Sequence, residues 1–238
     1  MVEDIQQLKD DKISYLNKLL PQDENGYFLD ISNQKVSYGN NPQLSYINTK
    51  LPLKEEHIIE IQKCSIDIIY FVESYVKIRS LDEGLVYPDL RDYQKELIQQ
   101  YYENRFNVVL AGRQSGKSVT TLLYILWKLC FCPDTIVGIC ANKFTMAAEN
   151  LQRLMDMYAD LPIWLKPSVK VYNKESFVNE IGCKAYISAT TPDAFRGLSI
   201  NLIFIDECVA GDTKITVRNK KTGVIEDITM EELYNRIG

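Results

Sequence analysis

The chain has 238 residues, 46% of them hydrophobic and 25% charged, a balance that fits a soluble globular protein with one sizeable core and a small addition. The net charge of −5 falls on residues 1–208, because residues 209–238 hold five basic and five acidic groups; a broadly basic duplex-binding module is excluded. No apolar run reaches membrane-spanning length, since Lys128 interrupts the greasiest stretch, LLYILWKLCFC, and the charged start MVEDIQQLKDDKISYL is unlike a signal peptide, so a cytosolic location is expected.

Residues 1–50 carry turn signals (PQDENG, YGNNPQ) and predict a short helix followed by irregular structure. A helix is expected over 55–78, and another over 92–104 capped by Asp92 or Asp89. Six cysteines stand at 64, 130, 132, 140, 183 and 208, with no CxxC and a single histidine, His57. That spacing argues against a zinc site or a disulfide framework, and Cys64, Cys130, Cys140 and Cys183 read as small buried hydrophobes.

From 106 onward strands and helices alternate. FNVVL (106–110) is an apolar strand, and Val119, Leu122, Leu123, Leu126, Leu129 and Cys130 form a helical stripe. TIVGICA (135–141) is a strand, and Ala147, Leu151, Leu154, Met155 and Tyr158 mark the next helix. Strands follow near 168–172, 176–179 and 184–189, then a helical turn at 192–195 and the strand NLIFID (201–206). This alternation predicts an α/β fold with a mostly parallel sheet covered on both faces. After 208 the pattern changes. TKITV and GVIEDI alternate like antiparallel strands, and TMEELYNRIG is a helix with Thr229 as cap and Glu232 three residues on. The expected division is a mostly helical region (1–90), an incomplete P-loop core (91–207) and a short β-rich unit (208–238).

The stretch NVVLAGRQSGKS sets a glycine-rich turn between strand and helix, and Gly116-Lys117-Ser118 has the P-loop (Walker A) form. The backbone N–H groups of Gly112, Gln114, Ser115 and Gly116, with the helix N-terminus, would face phosphates. Lys117 would reach the β- and γ-phosphates and Ser118 would bind Mg²⁺. The first position of the eight-residue pattern is Ala111, with the glycine one residue later at Gly112. The buried strand LIFIDE then supplies a Walker B end, where Asp206 would hold the Mg²⁺ shell and Glu207 would polarise the attacking water. Arg113, inside the loop, would face transferring phosphoryl charge. Upstream, Tyr93 could stack on the adenine of ATP and Gln94 could read its edge.

Several stretches together, DYQKEL, AGRQSGKS, ANKFTMAAENLQRL, SATTPDAFRGLSINLIFIDE and CSIDIIYFVESYVKI, resemble the ATPase domain of the large terminase subunit of tailed bacteriophages over roughly 58–207. Arg113 and the element Phe195-Arg196-Gly197 are part of that resemblance. It implies an ATP- and Mg²⁺-dependent hydrolase that threads double-stranded viral DNA into a procapsid. It also implies an oligomer, partnership with the portal and the small terminase subunit, and the cytoplasm of the bacterial host, with no membrane.

From Cys208 onward, CVAGDTKITV resembles the first splicing block of an intein. Such a Cys208 would attack the carbonyl of Glu207 and convert the peptide bond to a thioester. No histidine follows His57, so the resemblance implies the N-terminal fragment of a split intein, awaiting a partner that carries the rest of the intein and of the motor. Negligible ATP turnover is expected before splicing. A packaging ATPase fragment without an intein, another P-loop ATPase and a non-enzymatic nucleotide binder are the alternatives.

Overall fold

The computed structural model describes residues 38–41, 43–47, 49, 51, 53–80, 84–112, 115–191, 193–206, 214–218 and 225–237. The helix expected near the N-terminus, together with Arg113, Gln114, Glu207 and Cys208, lies outside the described residues.

The single helix expected over 55–78 is two helices, α1 (Glu55–Ile66) and α2 (Ile68–Tyr75). Asp67 makes the break. Its backbone is extended and its carboxylate accepts the N–H of Tyr70 at 2.9 Å, so it caps α2 instead of continuing α1. The two helices are tied at Glu60, whose carboxylate accepts Lys63 Nζ at 2.7 Å, Tyr70 Oη at 2.6 Å and Tyr75 Oη at 2.7 Å. Those donors, Lys63 foremost, hold its carboxyl down at about 2. Ile78, expected as the last residue of that helix, instead opens β1 (Ile78–Ser80), antiparallel to β2 (Gly84–Val86).

Helix α3 (Asp92–Glu103) starts one residue earlier than a cap at Asp92 allows and two later than a cap at Asp89 would place it. The cap position is Arg91, and Gln94 Oε1 reaches back to accept the Arg91 N–H at 3.1 Å, one half of a capping box. Helix α4 (Lys117–Phe131) is buried on nearly every side from Thr120 to Phe131, as befits a central helix. The indole N–H of Trp127 donates to the carbonyl of Cys64 at 2.8 Å and fastens α4 to α1. Among the described residues, no helix is long and apolar enough to cross a membrane.

The main sheet has five strands in the order β4-β5-β6-β3-β7: β3 (Ile136–Ala141), β4 (Val169–Tyr172), β5 (Ser176–Asn179), β6 (Lys184–Ala189) and β7 (Leu202–Asp206). β3 pairs in parallel with β6 and with β7. β4, β5 and β6 form an antiparallel meander, so the sheet is mixed and the expectation of a mostly parallel one is corrected. The reason lies in the connections. Residues 173–175 and 180–183 are tight turns, far shorter than the dozen or so residues a parallel crossover needs. Helix α5 (Phe144–Asp160) carries the crossover from β3 to β4 and packs on β3, β6 and α4.

A second correction concerns 106–110, which forms no strand. Phe106, Val108 and Leu110 are 83%, 85% and 99% exposed. A β-branched, apolar run is extended by preference, but a strand exists only where a neighbour takes up its N–H and C=O groups. Nor is the sheet covered on both faces throughout, because Ile203 and Ile205 of β7 are exposed.

One hydrophobic core joins α1, α2, α4, α5 and the sheet, with Phe71, Trp127, Leu151, Tyr158 and Phe177 at its centre. Cys64, Cys130, Cys140 and Cys183 are buried, and burial pushes their thiols upward, to about 12 for Cys64 and about 11 for Cys183. Further on, β8 (Lys214–Arg218) and β9 (Ile225–Thr229) make a separate antiparallel pair that leads into α6 (Met230–Ile237). The capping box expected there is present: Thr229 Oγ1 accepts the Glu232 N–H at 3.1 Å and Glu232 Oε2 accepts the Thr229 N–H at 2.9 Å.

Candidate functional site

The carboxyl end of β7 meets the N-terminus of α4. Two features bring β7 there. Asn201 clips its start to β3: its backbone N–H donates to the Ile136 carbonyl at 2.9 Å and its side chain accepts the Ile136 N–H at 2.7 Å. The turn before it, 193–197, is anchored by the Phe195 ring on Gly138 of β3; a Cβ at Gly138 would lie 2.6 Å from Phe195 Cε2. Phe195 holds a left-handed backbone, φ 60°, to make this contact. With β7 so placed, Asp206 lies level with Ala141 at the end of β3.

Asp206 is held at both carboxylate oxygens. Ser118 Oγ, in the first turn of α4, donates to Oδ1 at 3.0 Å, and Asn150 Nδ2 of α5 donates to Oδ2 at 2.9 Å. Lys117 Nζ turns back to the carbonyl of Ala111 at 3.4 Å. The hydroxyl oxygen of Ser115 is buried and has no hydrogen-bond partner among the described residues. Such an atom carries a desolvation penalty until something binds it.

The turn into α4 depends on Gly116, whose φ of +85° is left-handed. A Cβ there would stand 2.9 Å from Gln94 Nε2. Helix α3 therefore presses on the loop. Tyr93 Oη donates to the Ser115 carbonyl, and Gln94 Nε2 donates to Thr120 Oγ1 at 3.0 Å. With Oε1 bonded to Arg91, both ends of the Gln94 amide are engaged within the protein. The Thr120 hydroxyl in turn donates to the Gly116 carbonyl at 3.0 Å.

Of the residues singled out from the sequence, Tyr93, Gln94, Ser115, Gly116, Lys117, Ser118 and Asp206 converge on this place. Gly112 is exposed at the entrance of the loop. The sequence reasoning passed over Asn150. Its signal was available: Asn150 falls on the apolar stripe of its helix, with Ala147 three residues before and Leu154 four after.

Chemically the place offers the start of a buried helix, whose first N–H groups have no partner within the helix, a lysine, two serine hydroxyls and a carboxylate. It suits an anion on the loop side and a hard cation on the Ser118–Asp206 side.

Comparison with known families adds one finding. The match starts at 108, not near 58 as the motifs led us to expect, and runs on to 216, across positions 207 and 208. Over residues 108–216, just under half of its length, the chain is similar to the family described as terminase large subunit, T4likevirus-type, N-terminal.

Proposed function

We propose that this chain carries the nucleotide-binding part of a phage DNA-packaging motor, the N-terminal portion of a terminase large subunit that binds and hydrolyses ATP. The observation that supports it best is the bond between Ser118 and Asp206, which sets a loop-to-helix turn of Walker A type against an acidic strand end of Walker B type. The family match over 108–216 points the same way.

The residues present fit a Mg²⁺–ATP complex. The orphaned Ser115 hydroxyl and the N-terminus of α4 suit phosphate oxygens. The paired oxygens of Ser118 and Asp206 are the hard donors that Mg²⁺ prefers, and these two residues would hold it. When bound, the ion neutralises charge on the phosphate oxygens. In this reading Lys117 gives up the Ala111 carbonyl for the phosphates, a stronger, charge-assisted partner. Arg113 would face the transferring phosphoryl charge and Glu207 would act as base toward the attacking water. Tyr93 and Gln94 brace the loop. Gln94 reads a base edge only by trading away its bond to Thr120. Double-stranded DNA, the portal and the small subunit are the partners, and the working motor is an oligomer in the host cytoplasm.

The second part of the proposal concerns Cys208. Its thiolate adds to the carbonyl carbon of Glu207, the C–N bond breaks, and the freed amine takes a proton, leaving a thioester for a downstream nucleophile. The remaining intein and motor segments would complete the exchange. The shift at this point to the separate β8–β9 pair and α6 supports a new unit. The extension of the family match to 216 instead favours a packaging segment that continues through Cys208 without splicing.

The nucleotide reading is tested by titrating the chain with a fluorescent ATP analogue and Mg²⁺, with Lys117→Ala as control. Saturable binding that falls at least tenfold in the variant is expected; equal or absent binding in both overturns it. For splicing, a hydroxylamine-sensitive bond after Glu207 should be present when a complementary intein fragment is added and be missing in Cys208→Ala. An inert bond overturns that part alone.

A further inference from the structure

Asn150 is the most unusual residue of α5. It occupies the buried stripe beside Ala147, Leu151 and Leu154 and is only 4% exposed itself. Asparagine is a poor helix former, and a buried amide is costly unless it is bonded. Elsewhere in this protein a buried asparagine serves the backbone: Asn179 donates to the Leu129 carbonyl at 2.8 Å and accepts the Cys183 N–H at 2.9 Å. Asn150 instead spends its amide on a side chain, Asp206, at 2.9 Å.

We propose that Asn150 is a positioning residue that orients the Asp206 carboxylate for a divalent cation, an inference that rests on the nucleotide reading above. Two donors from two helices, Ser118 of α4 and Asn150 of α5, take one oxygen each. A carboxylate gripped at one oxygen can still swing about its Cβ–Cγ bond. Gripped at both, it presents Oδ1 in a fixed direction toward Ser118. The choice of donor matters too. A lysine or arginine at 150 would fix the carboxylate but oppose its charge, whereas a neutral amide fixes it and leaves its full charge for the cation. Asn150 thereby couples α5, which packs on both β3 and β6, to the metal side of the site.

The test measures how much Mg²⁺ strengthens binding of a fluorescent ATP analogue to the full chain, as the ratio of affinities with Mg²⁺ and with EDTA. Asn150→Leu keeps the shape of the side chain and removes the donor. The ratio is expected to drop about tenfold. On an Asp206→Asn background the same substitution should cause no additional drop, because Asn150 acts through Asp206. A thermal melt of each variant reports folding, and Asn150→Ser replaces the leucine variant if that one does not fold. A wild-type ratio preserved in Asn150→Leu, or a further drop on the Asp206→Asn background, overturns the inference while leaving the nucleotide reading intact. A wild-type chain that binds no nucleotide under either condition overturns both.

Discussion

Ser118 and Asp206 stand 88 positions apart in sequence and 3.0 Å apart in space, hydroxyl donating to carboxylate. The contact joins the first turn of the most buried helix to the last residue of the sheet's edge strand. Ser118→Ala should leave the fold intact, since the group lost is a single half-buried hydroxyl. It should reduce the Mg²⁺-dependent part of nucleotide affinity by about tenfold or more, in keeping with the ~1.5–3 kcal/mol of a hydrogen bond to a charged group. Nucleotide titrations with and without Mg²⁺, beside a thermal melt, check both halves.

Gly138 and Phe195 make a second long-range contact. Gly138→Ala would bring a methyl group to 2.6 Å from the Phe195 ring and 2.9 Å from Ile200 Cδ1. Overpacking of this kind costs about 1–3 kcal/mol. Phe195→Ala should relieve part of it, so the double variant should be less destabilised than the sum of the singles. Urea unfolding of all four proteins measures the coupling; strict additivity would show that the two residues do not press on each other.

Lys166 gives a pH prediction. It is 4% exposed, and its ammonium donates to the carbonyls of Tyr158 at 2.8 Å and Ala159 at 2.6 Å, at the C-terminal end of α5. Burial pushes its ionisation down from 10.5 to about 7. Between those values the unfolded chain binds more protons than the folded one, so this residue makes stability rise as pH goes from about 7 toward 10.5. The buried thiols of Cys64 and Cys183 act in the opposite sense at the alkaline end, so the comparison belongs between pH 7 and about 8.5. There the unfolding free energy of the wild type, taken from urea melts, should climb relative to that of Lys166→Met, by up to about 1.4 kcal/mol per pH unit, and the wild-type midpoint should climb with it. A parallel course of the two midpoints would refute it.

Trp127→Phe keeps the aromatic packing of α4 and deletes the donor to the Cys64 carbonyl. A loss of about 1–3 kcal/mol is expected in chemical denaturation, with an unchanged m-value.

Much of the molecule was legible in its sequence, and the exceptions share a cause. The stripe of α4 and the strands at 136–141 and 202–206 were readable because burial on a regular element repeats at its own period. The capping box at Thr229 was readable because it is local. What escaped depends on partners distant in the chain. FNVVL has the composition of a strand, but pairing is a property of two segments, and composition describes one. Asp67 looked like one polar position within a helix; only its bond to Tyr70 shows that it starts a new one. The site followed the same rule. Gly116, Lys117 and Ser118 announced themselves as a motif, whereas Asn150 belongs to none and is explained only by the oxygen of Asp206 it touches.

The antiparallel meander has a consequence for the order of assembly. β3 precedes it and β7 follows it, so Ala141 and Asp206 become neighbours only after β4, β5 and β6 have been laid down. A chain emerging from the ribosome thus displays two waiting donors, Ser118 and Asn150, well before their common acceptor is synthesised. The acid that unites them is the closing stone, and a chain that has not finished this arch has no assembled site.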